Sequence, residues 1–104
     1  MLVSFTDSYY ELLYTGEKHP GKPRFSPEVI SMYRMRIDQI KNSVSTQELR
    51  KFKSLRFEKL EPKNDPNPVY SVRVNDRYRL EFHIGSDGNV EIVSIIRISD
   101  HYSK

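Results

Sequence analysis

The sequence predicts an α+β domain, with two N-terminal helices packed on one face of a mostly antiparallel sheet of four to five strands. Between residues 26 and 44 the apolar side chains recur at spacings of three and four. Beyond residue 69 they alternate singly with polar ones. The helical segments therefore precede a run of strands, which places them together on one sheet face. At 104 residues the chain has the length of one domain, and 1–104 is read as a single unit.

Leu2 to Phe5 is a short apolar run and reads as a first strand. Thr6 or Asp7 can cap a short helix through Leu12, Leu13 and Tyr14, which Gly16 ends. Residues 17–24, EKHPGKPR, form a loop with two prolines and a glycine. Ser26-Pro27-Glu28 supplies a hydroxyl cap, a proline at the first helical position and an early acid, all marks of a helix start. Ile30, Tyr33, Ile37, Ile40 and Val44 make its apolar stripe, and Arg34, Arg36, Asp38 and Lys41 fall off it. Ser45-Thr46-Gln47-Glu48 has capping-box spacing and opens a brief helical turn carrying Leu49 and Phe52. Residues 55–60 read as a strand, and the three prolines within 61–68 as a loop. Residues 70–75 and 78–84 alternate, GSDGN at 85–89 is a turn, and 90–98 are apolar at most positions, as in a strand covered on both faces.

Seven tyrosines and five phenylalanines argue for a packed core and against disorder. The formal charge of +3 favours an anionic partner without choosing among nucleic acid, acidic protein and anionic lipid. There is no cysteine, so disulfides and thiolate chemistry are excluded and a reducing compartment is expected. MLVSFTDSYY lacks the basic start and long apolar core of a signal peptide, and no apolar run approaches the roughly 20 residues of a membrane span. The expected location is cytoplasmic, with no membrane association. His19, His83 and His101 stand apart, and no cluster has metal-ligand spacing, so no metal or cofactor is expected.

The segment from Tyr70 to His83 carries the most information. Burying Tyr70, Val72 and Val74 together with Tyr78, Leu80 and Phe82 requires Val72 to oppose Leu80 and leaves a three-residue connection, Asn75-Asp76-Arg77. Arg73 then stands directly opposite Arg79. Two guanidiniums on one face repel, so a carboxylate such as the diagonal Glu81, or a bound anion, has to offset them. A guanidinium fork matches phosphate oxygens, so a phosphodiester is a natural guest. A solvated face with a local Arg–Glu pair is the alternative. Downstream, Asp100-His101-Tyr102 offers a carboxylate, an imidazole and a phenol near the arginines, if the last strand lies beside the hairpin; a frayed tail is the alternative.

Four segments together resemble the HigB toxins of the RelE/ParE superfamily. They are Tyr14-Thr15-Gly16-Glu17, Phe52-Lys53-Ser54-Leu55-Arg56-Phe57-Glu58-Lys59-Leu60, the hairpin from Tyr70 to Phe82, and Ser99-Asp100-His101-Tyr102. The resemblance implies a RelE-like fold and a metal-independent endoribonuclease that cuts mRNA on the ribosome. A helix-turn-helix antitoxin similar to HigA would restrain it. It also implies catalytic roles for Arg79, Arg73, Asp100, His101 and Tyr102; Glu58 is expected to join them as a partner of His101, and Lys59, Lys63, Asn75, Arg56 and Lys53 are expected to contact RNA. The family's usual Leu-Lys-Gly-Asp is here Leu60-Glu61-Pro62-Lys63, and many members carry histidine where Glu58 aligns. Those departures keep two alternatives open: a ParE-like, non-enzymatic inhibitor of DNA gyrase, and a homologue that only binds its antitoxin.

Overall fold

The computed structural model describes residues 1–17, 24–61 and 64–100. Strands β1 (Leu2–Phe5), β2 (Glu58–Leu60), β3 (Val69–Arg73), β4 (Tyr78–Asp87) and β5 (Val90–Asp100) form one sheet of order β1-β5-β4-β3-β2. Three of its pairings are antiparallel, and β1 joins β5 in parallel. Helices α1 (Ser8–Thr15), α2 (Pro27–Asn42) and α3 (Thr46–Lys51) supply the other wall of the core.

Each helix starts where its cap residue dictates. The Asp7 carboxylate accepts from Tyr9 N at 2.9 Å, and Gly16, at φ 81°, closes α1. The Ser26 hydroxyl accepts from Val29 N, and the Ser45 hydroxyl from Glu48 N. Val29, Tyr33, Ile37 and Ile40 form the buried stripe of α2. The stripe is one residue too long in the sequence reading: Ser43 ends the helix, and Val44 beyond it is 82% exposed. From the sheet, Val72, Leu80, Phe82, Val93, Ile95 and Ile98 meet these helices.

Two strand expectations require correction. Residues 55–57 are not extended. A 3-10 turn over Lys53–Leu55 is followed by Arg56 in the left-handed region at φ 47°, and the strand starts only at Glu58. In β5 the apolar run does not reflect burial on both faces. The pairing jumps from Glu81↔Arg97 to Phe82↔Ile95, so Ile96 is an extra bulge residue. That bulge puts both Ile95 and Ile98 on the core face while Ser94, Arg97 and Ser99 share the other.

The second face is accordingly polar. Register places Ser4, Ser94, His83, Glu81, Arg97, Ser99, Arg79, Ser71, Arg73 and Glu58 on it. His83 ties loop residues to this side, its Nδ1 2.9 Å from Pro68 O and its Nε2 3.2 Å from Asp65 Oδ2.

Glu91 fastens α3 to the start of β5. Its carboxylate accepts from Thr46 N at 2.9 Å and from the Thr46 hydroxyl. These bonds, the hydroxyl's first, hold its pKa below the ordinary glutamate range. A depressed folded-state pKa contributes stability above the unfolded value, which is lost as pH falls through the folded one. Glu91→Gln is therefore expected to cost at most about 1 kcal/mol near neutrality. In urea melts its difference from the parent should vanish near pH 3; a difference that persists there would count against this linkage.

Candidate active site

The polar face has Arg79 at its centre. Arg73 pairs directly with Arg79, as the alternation requires, so both side chains leave the same side of the sheet. Their guanidiniums nonetheless take different partners. Arg79 is 6% exposed. Its Nε donates to Ser71 Oγ at 2.8 Å, and Nη2 donates to the Arg56 carbonyl and, at 3.4 Å, to that of Ser71. Glu58 Oε1 lies 3.9 Å from Nη2. Nη1 makes no hydrogen bond among the described residues.

Burial pushes the Arg79 pKa down, Glu58 opposes that, and the Arg56 cation adds to it. The group remains a cation at any physiological pH. It is thus a buried positive charge with one nitrogen that no described residue satisfies, and leaving such a donor unpaired costs free energy.

Arg73 is turned toward the hairpin connection, where it forms an ion pair with the exposed Asp76. Hydrogen bonding to Arg73 draws the Asp76 pKa below the ordinary aspartate range. The connection is the three-residue one expected: Val74 N and Asn75 N both donate to Tyr78 O, at 2.9 and 3.2 Å. The Asn75 side-chain oxygen accepts from Arg77 N at 2.9 Å and Tyr78 N at 2.7 Å, so its oxygen shapes the turn. From α2, Arg36 Nε donates to Arg73 O at 2.8 Å, which anchors the end of β3 to the helix layer.

Glu81 does not offset Arg73. It pairs with Arg97 of β5, and Asp76 takes its expected role. Asp100 also departs from expectation. It stands opposite Tyr78, on the other side of the sheet from Arg79, and accepts from Arg77 Nε at 2.9 Å. His101, Tyr102 and Lys63 lie outside the described residues. Lys59 stands opposite Tyr70 and therefore shares the face of Tyr70, away from Arg79. Lys53 sits in the 3-10 turn, and Arg56 follows it with its carbonyl on Arg79. Of the sequence candidates, the fold gathers Arg79, Arg73, Glu58 and Arg56 on one face and does not bring Lys59 or Asp100 to it.

Sequence reasoning missed Ser71, Asp76, Arg97 and Arg36. Alternation alone puts Ser71 beside Arg79, but nothing in the sequence announces that a serine will be fully buried there. Arg97 reaches this face only because Ile96 bulges. No group of three or more potential metal ligands occurs among the described residues.

The five-stranded sheet, with helices on one side and an arginine-centred polar face on the other, is the arrangement expected of a RelE-like toxin. The fold is similar to that of a YoeB/ParE toxin from Agrobacterium tumefaciens, with a TM-score of 0.58 and 14% identity over 98% of this chain and 100% of that one. Residues 3–97 match the model of the family described as RelE-like toxin of type II toxin-antitoxin system HigB, and the chain belongs to that family. It is a toxin component of a type II toxin–antitoxin system, a class defined by an antitoxin partner, in a family of RelE-like ribonucleases. No curated protein matches the sequence. Among the described residues, no helix is long and apolar enough to cross a membrane.

Proposed function

We propose that this chain, acting as one cytoplasmic domain over residues 1–104, cuts mRNA on the ribosome and is restrained by a helix-turn-helix antitoxin similar to HigA. The single observation that carries this reading is the buried Arg79 cation, whose Nη1 has no hydrogen bond among the described residues, on the same face as Arg73. A phosphodiester oxygen satisfies that donor, and a second oxygen replaces Asp76 at Arg73. Arg56 and Lys53 border this face and add positive charge toward an RNA backbone, and Lys59, on the other side of β2, and Lys63 are assigned RNA contacts beyond it.

The reaction is transfer of the phosphodiester onto the neighbouring 2′-oxygen. The 2′-hydroxyl attacks phosphorus as it loses its proton, and the bond from phosphorus to the 5′-oxygen breaks. The leaving 5′-oxygen takes up a proton, so the products are a 2′,3′-cyclic phosphate and a 5′-hydroxyl. Arg79 and Arg73 bind the charge that grows on the non-bridging oxygens. Glu58, whose Oε1 lies 3.9 Å from Arg79 Nη2, is the carboxylate assigned to take the 2′-proton. His101 and Tyr102, just past β5, are assigned to the leaving oxygen. Asp100 serves this arrangement by holding Arg77 at the hairpin connection.

Induced expression tests the reading. Translated messages should acquire new 5′-hydroxyl ends, and a 2′-deoxynucleotide at the cut position should block cleavage on purified ribosomes. Intact messages with DNA damage would assign a gyrase-directed toxin instead. Intact messages with unimpaired growth would assign a chain that only binds its antitoxin.

A further inference from the structure

β1 ends at Phe5, paired with Ile95, while β5 continues to Asp100. At the end of β1, Thr6 turns away, with both its backbone N and its Oγ1 donating to Ile95 O, at 3.0 and 2.9 Å. Among the described residues, no strand pairs with the outer edge of β5 at Ile96, Arg97 and Ile98. Tyr10 partly covers it, its phenol bonded to the Ile98 backbone. The remaining space is a cavity of about 530 Å³, lined by Thr6, Asp7, Tyr10, Arg24, Arg97 and Ile98, among others. That volume falls within the range of pockets that hold small ligands.

Two arginines give the cavity its character. The Arg24 guanidinium lies 4.0 Å over the Tyr9 ring and 5.7 Å from the Tyr10 ring. Arg24 N also donates to the Tyr9 phenol at 3.2 Å, so backbone and side chain are both fixed against that tyrosine. A guanidinium held over a tyrosine ring is a group on which an unstacked base can lie. Arg97 connects the cavity to Arg79. Since Arg79 faces Ser99 and Glu81 faces Arg97, Arg97 is the diagonal neighbour of Arg79 on the polar face, roughly 7–8 Å away. Its pairing with Glu81 directs it toward the same face.

We infer that this cavity is a subsite for the nucleotide next to the cleaved phosphodiester, its base stacked on Arg24 and its phosphate bound by Arg97. The inference rests on the ribonuclease reading and names a further part of the RNA that reading requires. Asp7, the cap of α1, also lines the cavity, and its carboxylate disfavours phosphate on that side.

Single-turnover cleavage on ribosomes tests this, with short synthetic messages in which each nucleotide flanking the cut is made abasic in turn. The full chain is compared with Arg24→Ala and Arg24→Lys. For the parent, one flanking abasic position should slow cleavage about tenfold, the effect of a lost stack. Arg24→Ala should cut the intact message about tenfold more slowly and show no further loss on the abasic one. Arg24→Lys should behave as Arg24→Ala, because an ammonium keeps the charge but has no plane. Arg24 is exposed at the surface, so melting temperatures near the parent's are expected for both variants. Three results overturn the subsite: undiminished abasic sensitivity in Arg24→Ala, full rescue by lysine, or normal cutting by Arg24→Ala with lost neutralisation by antitoxin. The last would assign the cavity to the antitoxin. A parent chain that cuts none of the messages refutes the ribonuclease reading itself, and the subsite with it.

Discussion

Replacing Arg79 by alanine is expected to abolish message cleavage, slowing it by about a hundredfold or more. The loss of one preorganised donor to a developing oxyanion accounts for roughly 3 kcal/mol. Arg79 also organises its surroundings, since Nε holds the Ser71 hydroxyl and Nη2 the Arg56 carbonyl. Arg56 sits in a left-handed conformation that few non-glycine residues adopt, and the bond to Arg79 is one reason it stays there. Alanine leaves those acceptors unsatisfied, at a cost of about 1–3 kcal/mol. Activity must therefore be compared well below the variant's melting temperature. Arg79→Lys separates the two roles. Lysine retains the charge but cannot reach Ser71 and Arg56 while offering a third nitrogen, so it too should lose most of the activity. Near-parental cleavage by Arg79→Lys would show that charge alone suffices and that the fork geometry is irrelevant.

The largest loss of stability is expected at Phe82. Its ring is fully buried, lies opposite Tyr70 on one strand and Ile95 on the other, and packs edge-on to Phe57 with centroids 6.1 Å apart. Phe82→Ala removes this packing and leaves a cavity, for about 3–5 kcal/mol. Domains of this size hold only about 5–15 kcal/mol in total, so the variant should be largely or marginally unfolded at 37 °C. Urea denaturation measures it: the midpoint should fall steeply with little change in slope. A shift worth less than about 1 kcal/mol would mean that the ring is not a keystone between sheet and helices.

Much of this architecture is legible in the chain. Ser26-Pro27 announces α2, and the spacing of Tyr33, Ile37 and Ile40 identifies its buried side before any coordinates are known. In the hairpin, single alternation fixes register, because a slip of one residue would expose every apolar side chain. Arg73 and Arg79 face each other for that reason.

The misses share one physical origin, which is that local pattern does not report tertiary contact. Leu55-Arg56-Phe57 alternates like a strand, yet Arg56 turns back because its carbonyl finds Arg79, 23 residues away. In β5 the run of apolar residues hides a bulge, and the bulge decides that Arg97 joins the polar face. Which carboxylate offsets which arginine was also beyond the sequence. Glu81 is diagonal to Arg73 but directly opposite Arg97, with which it pairs, whereas Asp76 is set by the turn beside Arg73. Asp100 follows the same logic, since one step of strand alternation assigns it to Arg77 instead of Arg79.

The sharpest measurement is nitrogen-15 NMR of the arginine side chains while the protein, on its own, is titrated with an uncleavable 2′-O-methyl oligoribonucleotide. Phosphate binding at the polar face predicts large, saturable shifts of the Arg79 Nη1 group, with the Arg73 guanidinium leaving Asp76 over the same titration. An oligonucleotide that binds while the Arg79 and Arg73 signals stay where they were would contradict the site.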